Sequence, residues 1–551
     1  MNRQTESRVA ALGCLRNAPR VKRASGLDDE TIPFAEVFQA ILAESRSHLR
    51  ERSSAPATVL SPEVYASLER GLLHTLSAVC GQVFELAFSL HRFHDDPFPQ
   101  TREQGAPRRQ NKLQYTKFVR DLLNGGLSRV FLDYPALENL TAICAEQWAS
   151  AAAELLERLQ LDRAAIAASF AGGEDPGEVI RIETDLSDRH DGGRTVAALD
   201  FASGLRLIYK PKDLGSEEAY FSILDWFNHH GAPLDFHVVR VLKRDNYGWV
   251  EFVEQRPCQG AIAAQQYFQR AGQLLCMMYL LGGADCHFDN IVAHGEHPVL
   301  IDTEMLFQAK LASDSSARAQ SVLRTGLLPQ PTSKAEACDF SGFGCVSDQA
   351  IWLRVPQWRY PNTDAMALSF RKAILQPHTN VPALEHTTLS PVDYVESVVE
   401  GFRQMYRCVQ ANRRQLRAPA SPLAQIATQR VRLLARGTLE YYLVLARMLH
   451  PKRLRAVHPQ VVFGKPSRFP LLEPLEIGAL GQMDVPRFTV EASAKYLALP
   501  DGARASPLFA QSGMERVNAQ IDGLSEVQMQ EQVKVIEFAL AFAGMSRISS
   551  A

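Results

Sequence analysis

Apolar residues recur three and four positions apart from about residue 33 to residue 170. The period is clear in VYASLERGLLHTLSAVCGQVFELAFSL and in LENLTAICAEQWASAAAELLERLQ, and the polar stretch DDPFPQTREQGAPRRQNK interrupts it. Such spacing places apolar side chains on one face of an α-helix. The pattern therefore predicts a helical region over 33–172. The polar, basic residues ahead of it predict a mobile tail over 1–32.

The hydrophobic period changes in the segment EDPGEVIRIETDLSDRHDGGRTVAALDFASGLRLIYKPKDL. Short β-branched and apolar runs are separated there by DGG and ASG, which predicts a three-stranded antiparallel meander. A helical segment, SEEAYFSILDWFNHH, follows, and then two strands, DFHVVRVLKRD and YGWVEFVEQR, joined by a DNYG turn. We therefore expect a strand-rich unit over 173–257.

The remainder of the chain, 258–551, begins with a helical segment that includes the apolar run AGQLLCMMYLLGG, typical of a buried helix closed by glycine. The polar loop ADCHFDN and two short strands follow. Residues from 310 onward are predicted to be mostly helical with long loops, and the sequence contains no internal repeat. The whole pattern predicts an α+β fold.

Composition narrows the class of protein. The 551 residues are 46% hydrophobic and 22% charged, as in water-soluble globular proteins, and no run reaches the roughly 18 apolar residues of a transmembrane helix. A net charge of −2 gives no overall field to attract nucleic acid, so we expect neither nucleic acid nor a membrane span. The nine cysteines lack CxxC pairs, which favours reduced thiols and a cytoplasmic location.

The loop after the apolar run concentrates polar side chains. Asp285, His287 and Asn290 have the spacing D-x-H-x-x-N, and Asp302 and Glu304 follow after a hairpin-sized excursion. Asn290 and Asp302 are therefore predicted to meet at one end of a short antiparallel pair. Amide and carboxylate oxygens with a further carboxylate nearby suit Mg²⁺. Asp285 is placed like the base of phosphoryl-transfer enzymes, which orients the attacking hydroxyl.

Several other features occur in the order that a kinase-like fold requires. Lys210 closes a strand of the meander, and the edge run YGWVEFVEQ resembles the hinge between two lobes. In isolation a D-x-H-x-x-N motif often arises by chance. A histidine such as His287, taken alone, is more often a hydrogen-bonded structural residue than a catalytic one. The segment SDRHDGGRTV has two interpretations, because Gly192 and Gly193 suit either a phosphate-binding loop or a simple hairpin turn.

These residues match a known family. The chain resembles the dehydratase portion of the class II lanthipeptide synthetases of the LanM type, in segments from about 60 to 545. The segments include SDRHDGGRTV, IYKPKDL, GGADCHFDNIVAHGEHPVLIDTEMLF, RLLARGTLEYY and MDVPRF. The resemblance implies a lipid-kinase-like, bilobal domain with an antiparallel N-lobe over 173–257 and a mostly helical C-lobe over 258–551. It implies phosphorylation of Ser and Thr in a precursor peptide, followed by elimination to dehydroalanine and dehydrobutyrine.

The resemblance also implies residue roles and cofactors. ATP, ADP and Mg²⁺ are expected, and zinc is not. The implied roles are phosphate contact for Lys210, catalysis for Asp285 and His287, metal binding for Asn290, Asp302 and Glu304, nucleotide contact for Asp188 and His190 in place of a glycine-rich loop, and elimination for Arg432, Arg436 and Thr438.

Elimination needs a cation to stabilise the departing phosphate dianion, and Arg432 or Arg436 could supply it by bidentate contact. Another interpretation is that VRLLAR is one basic face of a helix, because arginines four positions apart share a side. The sequence alone leaves both interpretations open.

The chain departs from the family pattern in a few places. Ala284 precedes the catalytic aspartate, Asp289 replaces a glutamate, and Met483 stands where a glycine is common. No cluster of Cys and His zinc ligands follows, so ring formation is expected from a separate cyclase, or the chain is a shortened relative. The expected partner is a precursor peptide with a leader. The alternatives are a peptide kinase without elimination and a nucleotide-binding scaffold that captures a leader peptide.

Overall fold

The computed structural model describes residues 32–53, 60–95, 111–311, 320–330, 338–344, 346, 348–458, 460–498 and 508–548. These residues form a mixed fold in which helices outweigh strands and the sheets are small and antiparallel. The predicted mixture of helix and strand is confirmed. The predicted tail, apart from Ile32, lies outside the described residues.

Among the described residues, twelve α-helices have seven or more residues. They are α1 (Gln39–Arg52), α2 (Pro62–Asp95), α3 (Leu113–Asp121), α4 (Leu127–Asp133), α5 (Pro135–Phe170), α6 (Gly215–His229), α7 (Ala261–Leu280), α8 (Val395–Ala411), α9 (Thr438–Met448), α10 (Glu473–Gly481), α11 (Gly513–Asp522) and α12 (Glu526–Ile548).

The strands are β1 (Val179–Glu183), β2 (Ala197–Phe201), β3 (Arg206–Lys210), β4 (Val241–Arg244), β5 (Tyr247–Glu251), β6 (Ile291–His294), β7 (His297–Leu300), β8 (Lys310–Leu311), β9 (Gln349–Arg359), β10 (Ala367–Leu375), β11 (Ala383–Leu384), β12 (Thr387–Thr388), β13 (Arg430–Leu433), β14 (Phe488–Glu491) and β15 (Phe509–Gln511).

The first five helices form the N-terminal part of the fold, as the hydrophobic spacing predicts. The long helix α5 packs with α2 through buried residues such as Leu137 and Leu140 in its first half. Its second half buries Leu155, Leu156 and Leu159 against the sheet. One helix therefore joins the helical region to the strand-rich unit.

The strand-rich unit is a five-stranded antiparallel sheet in the order β1-β2-β3-β5-β4. The predicted meander of β1 to β3 is confirmed, and so is the β4–β5 hairpin. The predicted edge position of YGWVEFVEQ is wrong, because β5 pairs on one side with β3 and on the other with β4. Its run of buried residues suits an interior strand. One sheet face packs on α5 and the other on α6.

The second part of the fold is built around α7. Every residue of this helix from Arg270 to Leu280 is buried, and most of them are apolar. Helices α6, α8 and α12 and the β6–β7 hairpin pack around it in one cluster. The chain leaves α7 through Gly282 and Gly283, so this packed core fixes where the polar loop begins.

The prediction of mostly helical structure after residue 310 is wrong in two places. The hairpin of β9 and β10 is long, and its alternating residues Ile351 and Leu353 are buried, a period of two that favours strand over helix. The segment VRLLAR is not one helix face either, because Arg430–Leu433 forms β13 and pairs with β14. Arg432 and Arg436 therefore lie on different elements of local structure.

One helix, α2, is long and apolar enough to cross a membrane by length and composition alone. Half of its most apolar window is buried within the protein, as in core helices of soluble proteins. Among the described residues there is thus no clear membrane span.

The crossing of α7 and α8 gives a test of the core. A Cβ atom added at Gly272 would overlap the carbonyl oxygen of Val398, and one added at Gly401 would overlap that of Gln269. We expect Gly272→Ala and Gly401→Ala each to lower the free energy of unfolding by about 1–3 kcal/mol, because neither backbone can move aside.

The control is Gly478→Ala in α10, where no atom of the described residues lies within 4 Å of the added Cβ. This substitution should raise stability by up to about 1 kcal/mol, since alanine favours helix over glycine. Urea denaturation of the three variants measures the difference. Equal effects of Gly272→Ala and Gly478→Ala would contradict the close crossing.

Candidate functional site

The polar loop is held in one conformation by its own side chains. Asp285 has a φ of 63°, in the left-handed region. The side-chain amide of Asn290 donates to the backbone carbonyl of Asp285 at 2.8 Å, and its nitrogen lies 3.3 Å from His287 Nε2. The backbone N–H of His287 also donates to the carbonyl of Asp285. The D-x-H-x-x-N spacing thus closes the loop on itself and orients Asp285.

Asn290 and Asp302 come together at the open end of the β6–β7 hairpin, as their spacing predicts. Ile291 pairs with Leu300, and the N–H of Ile301 donates to the carbonyl of Asn290 at 2.9 Å. Asp302 is one residue further on, and its side chain is 34% exposed. Two polar oxygens are therefore available at this end of the hairpin.

These two residues fit Mg²⁺ better than a metal held mainly by protein. Asn290 Oδ1 and Asp302 Oδ2 make no hydrogen bond with the part of the chain that the structure describes. In that part there is also no group of three or more His, Cys, Asp or Glu side chains arranged to hold a metal. Mg²⁺ is commonly bound by one or two protein oxygens together with phosphate and water.

Lys210 lies against the same hairpin end. Its Nζ donates to the carbonyl of Ile301 at 2.8 Å and lies 3.6 Å from Glu217 Oε1 on α6. The lysine is 8% exposed, and no carboxylate is closer than Glu217 among its described ion pairs. The strand therefore delivers an ammonium group next to Asp302, as the sequence predicts.

A second lysine, Lys212, was missed in the sequence. Its Nζ lies 3.1 Å from Glu217, 3.3 Å from Asp302 and 3.0 Å from Glu304. Burial opposes the charge, but these carboxylates outweigh burial and raise the pKa of Lys212 above its usual value. Burial likewise opposes ionisation of Glu217, and the two lysines lower its pKa. The signal was the second lysine of IYKPKDL and the SEE that opens α6.

Glu304 is the centre of the charged contacts. Its Oε1 is paired with Arg432 Nη1, its Oε2 with Lys212, and Arg487 Nε lies 3.9 Å from Oε2. Burial acts to raise the pKa of Glu304, yet Arg432, Lys212 and Arg487 together hold it well below the usual range. Both carboxylate oxygens are engaged by side-chain cations. This leaves Asn290 and Asp302 as the residues with oxygens for a metal.

The carboxyl of Asp285, the residue predicted to be catalytic, has a strongly raised pKa. Burial raises its pKa to about 7; Arg432 opposes the rise, and Asp302 and Glu304 add to it. A carboxyl with a pKa near neutrality can accept a proton and release it again at cellular pH. Burial lowers the pKa of the neighbouring His287, which favours its neutral form.

The β1–β2 loop closes over the site from the other side. His190 Nδ1 lies 2.7 Å from the carbonyl of Val485, and burial, with Arg432, lowers the pKa of His190 to about 3. The imidazole is therefore neutral and Nδ1 carries the proton that it donates. Burial acts to lower the pKa of Arg432, but Glu304 outweighs burial and, with a smaller contribution from Asp188 in the β1–β2 loop, holds that pKa above its usual value.

The two glycines of this loop form a turn around a carboxylate. Gly192 and Gly193 have φ values of 92° and 76°, and their N–H groups donate to Asp484 at 2.6 and 3.0 Å. Those amides are therefore occupied by Asp484 of MDVPRF. Met483, at the position where glycine is common in the family, has a φ of 61°, which glycine adopts more easily.

Only one of the three residues of R-x-x-x-R-x-T reaches this cluster. Arg436 is buried elsewhere, with Glu476, Glu473 and Glu440 each 3.0 Å away and the ring of Phe463 beneath its guanidinium. Thr438 is buried at the start of α9. Within the described part of the chain, no hydrogen bond or ion pair links either residue to Asp285 or Glu304. Arg432 alone contacts the site.

An open cleft of about 430 Å³ adjoins the cluster. Six of its lining residues are cations and three are acids. The cations are Arg158, Arg194, Lys212, Arg430, Arg432 and Arg487, and the acids are Asp191, Asp213 and Glu304. Its size is that of a site for a small molecule or a peptide side chain, and its charge favours an anion.

Comparison with known proteins places the chain in a family. Residues 134–491 match the family described as a domain of unknown function, DUF4135. The chain belongs to the DUF4135 family. The DUF4135 domain includes every residue of the site predicted from the sequence, and also Lys212, Glu217 and Arg487.

This chain is also similar to the lacticin 481/lactococcin biosynthesis protein LcnDR2 of Lactococcus lactis subsp. lactis. The two are 23% identical over 395 residues, which make up 66% of this chain and 41% of LcnDR2. The chain thus spans less than half of the length of this relative.

The pKa of Asp285 gives a test of the site's electrostatics. Because its folded pKa of about 7 is above the ordinary value of 3.8, the ionised carboxylate destabilises the fold, and the loss accumulates as pH rises between these values. We expect Asp285→Asn to melt at a higher temperature than the wild type near pH 8. The difference should shrink towards zero near pH 4.

Melting curves across this pH range measure the effect. Asp225→Asn, at an exposed carboxylate on α6, controls for the loss of a charge away from the site. A difference in melting temperature between Asp285→Asn and the wild type that stays constant with pH would contradict the raised pKa of Asp285.

Proposed function

We propose that this chain is a lanthipeptide dehydratase. It phosphorylates Ser and Thr of a precursor peptide with ATP and then eliminates the phosphate to give dehydroalanine and dehydrobutyrine. The observation that carries the proposal is the convergence of Lys210, Asp285, Asn290 and Asp302 on one end of the β6–β7 hairpin. Similarity to a lacticin 481/lactococcin biosynthesis protein supports a role in lanthipeptide maturation.

A kinase-like, bilobal arrangement is part of the proposal. The antiparallel sheet carries the lysine on β3, and the following helix α6 carries Glu217 as its partner. The loop after α7 carries the aspartate and the asparagine, and the next hairpin ends in Asp302. Protein kinases place a strand lysine, a helix glutamate, a loop base and two metal ligands in this relation. Here a second lysine, Lys212, lies closer to Glu217 than Lys210 does, at 3.1 Å against 3.6 Å.

Asn290 and Asp302 are the residues that would hold Mg²⁺. When bound there, the ion would neutralise charge on the phosphate oxygens of ATP. Lys210, beside Asp302, contributes a fixed positive charge for the same phosphates. The hydroxyl oxygen of Ser or Thr bonds to the γ-phosphorus, and the bond from that phosphorus to ADP breaks. Asp285 accepts the proton that the hydroxyl loses. The proton then passes from Asp285 to solvent.

In elimination the charge that must be stabilised is that of the departing phosphate dianion. The α-proton of the phosphorylated residue is removed, the Cα–Cβ double bond forms, and the Cβ–O bond breaks with release of phosphate. Asp285 has a pKa suited to taking this proton. Arg432, held in place by Glu304 and by a backbone hydrogen bond from its own N–H to the carbonyl of Glu304, stabilises the departing dianion.

A second function, a peptide kinase without elimination, is favoured by one observation. Arg436 and Thr438, which the resemblance assigns to elimination, are buried away from the cluster. In this alternative Arg432 serves phosphoryl transfer only. A scaffold that only captures a leader peptide has no observation in its favour, because Lys210, Asp285, Asn290 and Asp302 are all present and grouped.

The proposed partners follow from the proposed reaction. A precursor peptide with a leader is the partner that binds as substrate. Dependence on ATP, and the buried thiols Cys80, Cys144, Cys258, Cys276 and Cys286, none of which is in a disulfide with a described residue, suit the cytoplasm.

The first test is incubation of the full chain with ATP, Mg²⁺ and candidate precursor peptides, followed by mass spectrometry. We expect products that have lost one water for each modified Ser or Thr. Asp285→Asn should lower both phosphorylation and dehydration by at least about 100-fold, since it removes the proton acceptor. Asp225→Asn is the matched control and should act like wild type. Full dehydration by Asp285→Asn would overturn the assignment.

The second test separates the two proposed functions. Arg432→Gln and Arg432→Lys should accumulate peptide that has gained phosphoryl groups but not lost water, with elimination slower by about 100-fold for the Gln variant. The Lys variant retains a cation beside Glu304 and should eliminate faster than the Gln variant. Arg407→Gln, at an exposed arginine of α8, is the control. Phosphorylated peptide with no loss of water in the wild type would establish the kinase alternative. Unchanged dehydration in both Arg432 variants would contradict the role of Arg432 in elimination.

A further inference from the structure

The β13–β14 hairpin has one polar face and one apolar face. Cross-strand pairing sets Arg432 opposite Thr489 and Arg430 opposite Glu491. Side chains two residues apart on a strand share a face, so Arg430 and Arg432 point the same way. The other face, with Val431 and Val490, is buried in the core.

Arginines of this polar face retain unused hydrogen-bonding capacity. Arg430 is exposed and makes no hydrogen bond or ion pair with the described residues. Arg487, just before β14, lies 3.7 Å from Asp191 and 3.9 Å from Glu304, both longer than a hydrogen bond. The buried Nε atoms of Arg432 and Arg487 have no hydrogen-bond partner within the part of the chain that the structure describes. A buried donor without a partner is costly, which makes a bound acceptor favourable.

The cleft that these arginines line is adjacent to the proposed nucleotide residues but does not include them. One wall of the cleft is formed by Arg430, Arg432, Arg487 and Thr489. Lys212 also lines the cleft. Lys210, Asp285, Asn290 and Asp302 are not among the lining residues. The wall is therefore placed to bind a second anion, in addition to the phosphates of a nucleotide.

We infer that Arg430 and Arg487, with Arg432, form a binding site for the phosphate monoester of a phosphorylated Ser or Thr side chain. Planar guanidinium groups bind phosphate oxygens by paired hydrogen bonds, and three of them on one wall match a dianion. The site itself rests on the geometry of the hairpin. Its assignment to a phosphorylated side chain, and not to free phosphate, rests on the proposed function.

The remaining cations of the cleft are less available. Arg194 is held by both oxygens of Glu154, and Arg158 contacts Glu154 and the hydroxyl of Tyr209. Their charge is largely compensated by that carboxylate. Arg430 and Arg487 are thus the residues whose loss should affect anion binding most directly.

The test is calorimetric titration of the full chain with a short phosphoserine peptide, its unphosphorylated form, inorganic phosphate and MgADP. We expect the phosphoserine peptide to bind and the unphosphorylated form not to. Arg430→Gln and Arg487→Gln should each weaken phosphopeptide binding by about tenfold or more. MgADP affinity should change by less than about twofold in Arg430→Gln, since Arg430 lies apart from Asn290 and Asp302.

Two controls keep the result interpretable. Arg371→Gln removes an exposed arginine from the β9–β10 hairpin and should bind phosphopeptide like wild type. Arg487→Lys retains the charge and should recover part of the affinity lost in Arg487→Gln, which a purely structural role would not produce. Circular dichroism confirms that each variant is folded.

The outcomes are distinct from those of the dehydration assay. Wild-type affinity in both Gln variants would overturn the site, as would failure of the wild type to bind any phosphate probe. An equal loss of MgADP and phosphopeptide affinity would assign the wall to the nucleotide and also overturn it. Tight binding of inorganic phosphate with no preference for the phosphopeptide would overturn the assigned ligand. Phosphopeptide binding without dehydration would leave this site intact and refute the proposed function.

Discussion

The carboxylate of Glu304 is the interaction on which the rest of the site depends. It holds Lys212 from the end of the five-stranded sheet, Arg432 from β13 and Arg487 from the approach to β14. These cations come from segments far apart in sequence, and each would be costly to bury alone. Because one buried anion pairs closely with Lys212 and Arg432 and attracts Arg487 from 3.9 Å, the sheet, the loop after β7 and the β13–β14 hairpin are fixed relative to each other.

The same arrangement makes the site costly in stability. Asp285 has a left-handed backbone and a carboxyl whose ionisation is opposed by burial. Glu217 is fully buried against two lysines. Such strain persists where the surrounding structure enforces it, here through the core around α7 and the self-closing contacts of Asn290. The molecule thus sacrifices stability for a fixed set of charges at one hairpin end.

Much of this could be read from the sequence because its signals were local. The meander followed from turn residues between apolar runs, and the meeting of Asn290 with Asp302 followed from hairpin spacing. The strand character of β13 was missed because RVRL is too short for a period of two to be distinguished from a helix. Lys212, Glu217 and Arg487 were missed because their importance arises only when distant segments meet at Glu304. The burial of Arg436 among three glutamates also depends on tertiary contacts that no local pattern reveals.

We propose that Lys210, Asn290 and Asp302 form one magnesium-dependent nucleotide site. Its most direct test is calorimetric titration of the full chain with ADP, with and without Mg²⁺, in the wild type and in Asp302→Asn. We expect ADP binding to the wild type to weaken by at least about tenfold without Mg²⁺, and we expect Asp302→Asn to lose this magnesium dependence. Nucleotide binding of equal strength with and without Mg²⁺ in the wild type, or the absence of any binding, would contradict it.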